Sequence, residues 1–182
     1  AVENAQRFHE IAFEHELASP LGIDFHHGSI SSMPWLDDLH FDAVVANYVL
    51  MDVRDYERAI MEISRVLKPD GRFVYSLVHN TIDFRWDRPA ADSPRKDDRA
   101  GWTDAGYFVR RAGYIQWGAF QPFLTFHRPL RDYIAACNAV GLELRDLDEP
   151  YLTEEGQRVL PPSEVESARQ VPISYVLRCA KV

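Results

Sequence analysis

The chain has 182 residues, 46% of them hydrophobic and 26% charged, with a formal net charge of −8. That length suits one domain with a real buried core, and the acidic balance repels phosphate backbones, which argues against general nucleic-acid binding. No apolar run approaches the ~20 residues a membrane span needs, no signal-peptide pattern is visible at the start, and Cys137 and Cys179 read as two free buried thiols in a reducing, cytoplasmic setting. With no CxxC or HxxxH spacing, a zinc site is not expected.

In chain order, AVENAQRFHEIAFEHELASP places Val2, Ala5, Phe8 and Ala12 at helical spacing. It predicts a helix from Glu3 to Ala18 that stops near Pro20. No start signal precedes it, so further chain is expected upstream. Gly22 to His26 reads as a short strand, and Gly28 to Pro34 as a loop. Phe41 to Ala46 is a near-continuous apolar run, the pattern of a strand covered on both faces. Asn47 to Met51 connects it to a helix that Asp52 or Asp55 can cap. Tyr56, Ala59, Ile60, Ile63, Val66 and Leu67 form the apolar stripe of that helix.

Lys68-Pro69-Asp70-Gly71 ends the helix: Pro69 cannot continue it, and Gly71 is expected to take the left-handed turn. Arg72 to Val78 is then a strand. Strands separated by helices of this length imply right-handed crossovers and a parallel sheet. Ligands of such sheets bind outside the carboxyl ends of the strands, where Ser76, His79 and Asn80 fall.

From Asn80 to Gly106 charges of both signs mix with prolines, which reads as a long irregular insertion. Ten of the 22 aromatic residues lie between Phe84 and Phe126, enough for an apolar pocket wall or a small satellite core. Asp97-Asp98, Arg95-Lys96 and Arg110-Arg111 read as solvated, with Arg110 or Arg111 a weaker candidate for an anionic substrate. His127-Arg128-Pro129-Leu130 opens a helix whose buried stripe is Leu130, Tyr133, Ile134, Cys137 and Val140, ended by Gly141. Leu142 to Leu147 is a strand, 151–170 a loop with a short helical piece, and Val171 to Ala180 a closing strand, so the last two strands should pair antiparallel.

The stretch FDAVVANYVLMDVRDYERAIMEISRVLKPDGRFVYSLVHN resembles the class I S-adenosylmethionine-dependent methyltransferases of the small-molecule "type 11" group. Phe41-Asp42, Arg65 to Gly71 and Arg72-Phe73-Val74 carry the match, with Asp70 where the family often has Gly; His127 to Leu130 and Glu149-Pro150 extend it. The resemblance covers roughly residues 1–150 and the closing strand. It implies an α/β, Rossmann-like methyltransferase sheet, mostly parallel with an antiparallel C-terminal strand pair, plus an aromatic-rich insertion capping the substrate. The domain reading is one methyltransferase-like domain over 1–182, incomplete at its N-terminus, with 80–126 as the insertion. The family's glycine-rich cofactor loop has no counterpart, since no G-x-G-x-G occurs. By this alignment the loop, and the acidic residue that pairs with the ribose hydroxyls, would both lie upstream of residue 1.

The resemblance implies S-adenosylmethionine or S-adenosylhomocysteine as cofactor and methyl transfer to a small-molecule acceptor. Gly28, Ser29 and Ile30 stand where the family has Gly-Asp-hydrophobic at the adenine; Ser29 can accept a hydrogen bond but brings no charge. Asn47, Tyr48 and Val49 stand where it lines the methionine end. For a hydroxyl acceptor His79 is the first candidate base, His127 the second and Tyr48 the third. His127 reads equally as an anchor of its helix, and His26-His27 as surface. Expected partners are the small molecule, no nucleic acid and no membrane, with a homodimer as an open assembly. The competing reading is a non-catalytic methyltransferase-like binding or dimerisation module, favoured by the missing glycine loop and by Ser29. A nicotinamide-dependent reductase lacks its Tyr-x-x-x-Lys relay here.

Overall fold

The computed structural model describes residues 1–79, 107–115, 122–159 and 174–182, with residues 165, 169 and 172 singly. The first difference from the sequence reading is at the start. Val2–Glu3 is not helical but a strand, β1, that pairs in parallel with β2, His26–His27. The helix α1 begins only at Gln6 and runs to Ala18, and of the expected 22–26 strand only His26 is paired. The apolar spacing that includes Val2 is therefore only partly helical; the Ala1 carbonyl accepts the His26 amide of β2, and the Glu3 carbonyl accepts the amide of Gly28 just after it.

The main sheet has four strands in the order β3 (Phe41–Asn47), β4 (Leu67–Val78), β8 (Ser174–Lys181), β7 (Leu142–Asp148). β3 and β4 are parallel, while β8 runs antiparallel to both neighbours, so the sheet is mixed and its closing pair is antiparallel as expected. A second antiparallel pair, β5 (Arg111–Ile115) with β6 (Phe123–His127), forms a separate hairpin. Of the proposed insertion over 80–126, residues 80–106 (with Asn80, Arg95-Lys96 and Asp97-Asp98) and 116–121 lie outside the described residues.

Helices α2 (Tyr56–Val66) and α3 (Leu130–Ala139) cover one face of the sheet, and a short α4 spans Glu154–Val159. The stripe of α2 is buried as its spacing requires, and packs with Leu50, Phe73, Tyr75, Leu142 and Leu177 into one core. Each such aliphatic side chain contributes on the order of 1.5–3 kcal/mol by leaving water. Tyr56 of α2 meets Tyr133 of α3 edge-on at 5.2 Å. Neither Asp52 nor Asp55 caps α2: Asp55 holds the N-cap position without a side-chain bond. At the other end, Lys181 Nζ donates to the Ser64 and Leu67 carbonyls at 2.7 and 2.8 Å, which suits the negative end of the helix dipole.

The Lys-Pro-Asp-Gly turn corrects a second expectation. Leu67 already pairs with Phe41, and the next register pair is Ala43 with Arg72, so Lys68 to Gly71 loop out of the ladder. The left-handed residue is Asp70, at φ 61°, not Gly71. Gly71 is needed for space, because a Cβ there would stand 2.8 Å from the Lys68 carbonyl oxygen. Asp tolerates the left-handed region through its short polar side chain.

β3 is also not covered on both faces. Among the described residues it pairs with β4 alone, and Val45 is 70% exposed. α1 buries no residue, and Phe8, Phe13 and Leu17 are about half exposed or more. The apolar pattern is real, but the described chain supplies nothing to cover it.

Two side chains fasten the loops around the sheet. Arg65 donates to the carbonyls of Met33 and Leu36 and to Asp38, while Glu62 bonds Arg65 and accepts the Met33 amide at 2.8 Å. Arg128, 7% exposed, donates to the carbonyls of Leu50, Val53 and Arg54, and lies 4.3 Å over the Tyr56 ring and 4.6 Å over Phe126. Arg128→Met should lower unfolding free energy by about 3 kcal/mol in urea denaturation, because three carbonyls lose their donor inside the fold. The Glu62 carboxyl is held below its ordinary value of 4.5, chiefly by the Arg65 bond and against the upward pull of burial. A depressed folded value gives stability that is present above the unfolded pKa and lost as pH falls. The stability advantage over Glu62→Gln should therefore be full at neutral pH and shrink below about pH 4.5, as read by denaturation at each pH.

Candidate active site

The carboxyl ends of β3 and β4 point the same way, and antiparallel β8 brings its first residues to that end. Val78 pairs with Ser174 and Leu77 with Tyr175. Five polar residues meet here. Ser76 Oγ donates to Asn47 Oδ1 at 2.6 Å and accepts the Tyr48 amide at 2.9 Å. The Tyr48 hydroxyl bonds Ser174 Oγ. Tyr48 itself has φ 53°, a left-handed backbone that a bulky residue adopts only when its surroundings impose it. Here the imposing contacts are Ser76 at its amide and Ser174 at its hydroxyl. Val49 packs against the core and starts the single 3-10 turn Leu50–Asp52.

His79 follows β4 and is 6% exposed. Its Nε2 lies 2.7 Å from Glu149 Oε1, just past β7, and its ring packs on Tyr175 at 4.0 Å between centroids. Beside it a largely apolar pocket is lined by Met51, Leu77, Val78, Phe126, Tyr133 and Tyr175, among others. His127 also reaches this pocket, but its Nε2–H donates to the Tyr107 carbonyl at 2.8 Å. Tyr107 in turn accepts the Leu130 amide at the start of α3, so His127 is tied into the anchoring of that helix. Asp52 sits nearby, its carboxyl pushed upward by desolvation and eased by the Thr125 hydroxyl and Arg128. Arg110 bonds Asp132 at 2.7 Å.

Gly28, Ser29 and Ile30 follow β2, at the second small sheet. The Gly28 amide donates to the Glu3 carbonyl, and a Cβ there would strike the Trp35 ring at 2.4 Å. Ser29 Oγ accepts the Ser31 amide at 3.2 Å, an ST-turn, and Ser31 Oγ reaches the Asp55 carbonyl. Ile30 packs on the main core. The sequence reading missed Glu3: it ends a strand parallel to β2, and its Oε1 accepts the Ala5 amide at 2.7 Å. An acid-ended strand is thus present in this chain, although the alignment set it upstream of residue 1. Ser174 was also missed, since its place at the site depends on the pairing of β8. Both free cysteines are buried in the core, away from this chemistry.

Residues 1–75 match the family model described as a methyltransferase domain. A 64-residue stretch is 42% identical to the 2-phytyl-1,4-naphtoquinone methyltransferase of Synechococcus elongatus, covering 35% of this chain and 27% of that enzyme. The whole chain superposes on an S-adenosylmethionine dependent methyltransferase from Listeria monocytogenes, with TM-score 0.70, 15% identity and 78% of that chain covered. The fold of this chain is that of the α/β methyltransferases, and its first 75 residues match the methyltransferase-domain model. A second such structure, an S-adenosylmethionine dependent methyltransferase from Mesorhizobium loti, matches 99% of the chain and 78% of its own, at TM-score 0.65 and 14% identity. Matches at this identity establish the α/β methyltransferase fold, and the chain spans about a quarter of the curated relative's length.

Ser76 is the joint between the two parallel strand ends. Ser76→Ala leaves the Tyr48 amide and Asn47 Oδ1 without their shared partner and should cost ~1 kcal/mol in chemical denaturation, with no change in overall circular dichroism.

Proposed function

We propose that this methyltransferase transfers a methyl group from S-adenosylmethionine to a small-molecule acceptor. The observation that carries the proposal is the convergence of Asn47, Tyr48, Ser76, His79 and Ser174 at the carboxyl ends of β3 and β4, where open α/β sheets bind ligands.

The residues present fit the adenosine part of the cofactor. Glu3 offers a carboxylate at a strand end for the ribose hydroxyls, and Gly28 to Ile30 offer loop backbone for adenine, with Ser29 a weaker acceptor than the family's Asp. Asn47, Tyr48 and Val49 face the methionine end. The bound cofactor supplies an electrophilic methyl on its sulfonium. The protein then has to hold the acceptor in line at ~3 Å and exclude water. His79 is the base for a hydroxyl acceptor, with His127 and Tyr48 behind it. The net charge of −8 supports a small-molecule acceptor over a nucleic acid, and free Cys137 and Cys179 support a cytoplasmic setting. No described helix is long and apolar enough to cross a membrane. A homodimer remains the assembly to test by light scattering.

The second reading, a non-catalytic binding module, is favoured by the use of Ser29 Oγ inside its own turn. Calorimetric titration of the full-length protein with S-adenosylhomocysteine separates the two. Saturable one-to-one binding that is lost in Glu3→Ala supports the enzyme; absence of heat and of any thermal stabilisation supports the module.

A further inference from the structure

We infer that Ser76 is a positioning residue that turns the Asn47 amide nitrogen-outward, so that the end of β3 offers hydrogen-bond donors to the carboxylate of the cofactor's methionine part. This rests on the methyl-transfer reading. Ser76 Oγ and Asn47 Oδ1 stand 2.6 Å apart. An amide oxygen carries no proton, so the proton between them is that of the serine hydroxyl. The separation fits O–H···O contacts, about 2.5–3.0 Å, and is shorter than the usual N–H···O range of about 2.7–3.2 Å, which supports the oxygen end of the amide at Ser76. The Tyr48 amide donates to the same Oγ at 2.9 Å. The hydroxyl thus accepts from Tyr48 and spends its one proton on Asn47.

The root of the Asn47 side chain is held as well. Asn47 and Ser76 are register partners on the parallel strands β3 and β4. The next residue, Tyr48, is fastened at its amide by Ser76 and at its hydroxyl by Ser174. With Oδ1 committed, the rest of the amide is Nδ2 with two N–H groups, and neither has a partner among the described residues. Ser76 is 7% exposed, whereas Asn47 is exposed. The chain of bonds therefore starts in the interior and ends in donors at the open strand end, where such sheets bind ligands. A carboxylate accepts without donating, and its charge strengthens each bond. The α-ammonium of the same methionine part is itself a donor and finds no acceptor in this amide.

Calorimetric titration of the full-length protein with two nucleosides tests this: S-adenosylhomocysteine, which has the amino-acid part, and 5′-methylthioadenosine, which lacks it. Asn47→Asp keeps the size and the bond from Ser76 but replaces the donors by an anionic oxygen. It should weaken S-adenosylhomocysteine at least about tenfold and leave methylthioadenosine unchanged. Ser76→Ala frees the amide to turn over and should weaken S-adenosylhomocysteine about twofold or more, again without changing methylthioadenosine. Ser76→Thr keeps the hydroxyl and should restore wild-type affinity. A merely structural role for Ser76 would weaken both nucleosides alike. Equal losses for the two, or unchanged S-adenosylhomocysteine binding in Asn47→Asp, overturn the inference and leave the methyl-transfer reading in place. Wild-type protein that binds neither nucleoside overturns that reading and the inference with it.

Discussion

Arg128 holds a full positive charge inside the fold, and the site depends on how that charge is satisfied. Its two terminal nitrogens reach three backbone carbonyls of the 50–54 segment at 2.8–3.3 Å, and its flat face is sandwiched among Tyr56, Phe126 and Tyr133. A guanidinium suits this place because it is weakly hydrated, stacks on rings and carries donors in a rigid fork. A lysine would bring the charge without the geometry. Through these contacts β6, α2, α3 and the turn after β3 become one packed unit. The turn begins immediately after Tyr48 and Val49, so the residue that anchors the hairpin also fixes the chain leaving the strand end.

The second constraint is the direction of β8. A parallel closing strand would deliver its last residues to the ligand side; an antiparallel one delivers its first. Ser174 and Tyr175 arrive beside Ser76 and His79 for that reason. Ser174 then holds the Tyr48 hydroxyl across the width of β4, and Tyr175 stacks on the imidazole. The left-handed backbone of Tyr48 is a cost met by these surroundings, of the kind that gathers at binding sites.

At the opposite side of the main sheet the packing is incomplete among the described residues. α1 presents Phe8, Phe13 and Leu17 to solvent, β3 presents Val45, and the β1–β2 pair stands as a separate small sheet.

What the sequence determined by itself is what depends on local periodicity and on turn chemistry. The stripe of α2 and the end of α3 at Gly141 with φ 74° follow from spacings a few residues long. The family resemblance was legible from the same stretch, because the Arg-Val-Leu-Lys-Pro turn needs a bulge with room for Gly71. Only the tertiary structure decided the rest. Whether Val2–Glu3 is strand or helix turned on the pairing with His26–His27, 23 and 24 residues away in the hydrogen bonds and register that hold it. Which residue of Asp70-Gly71 takes the positive φ turned on how close the Lys68 carbonyl approaches. The partners of His79 and Tyr48 lie 70 and 126 positions along the chain. Pairings over such separations are set by strand order and direction, which no local pattern encodes.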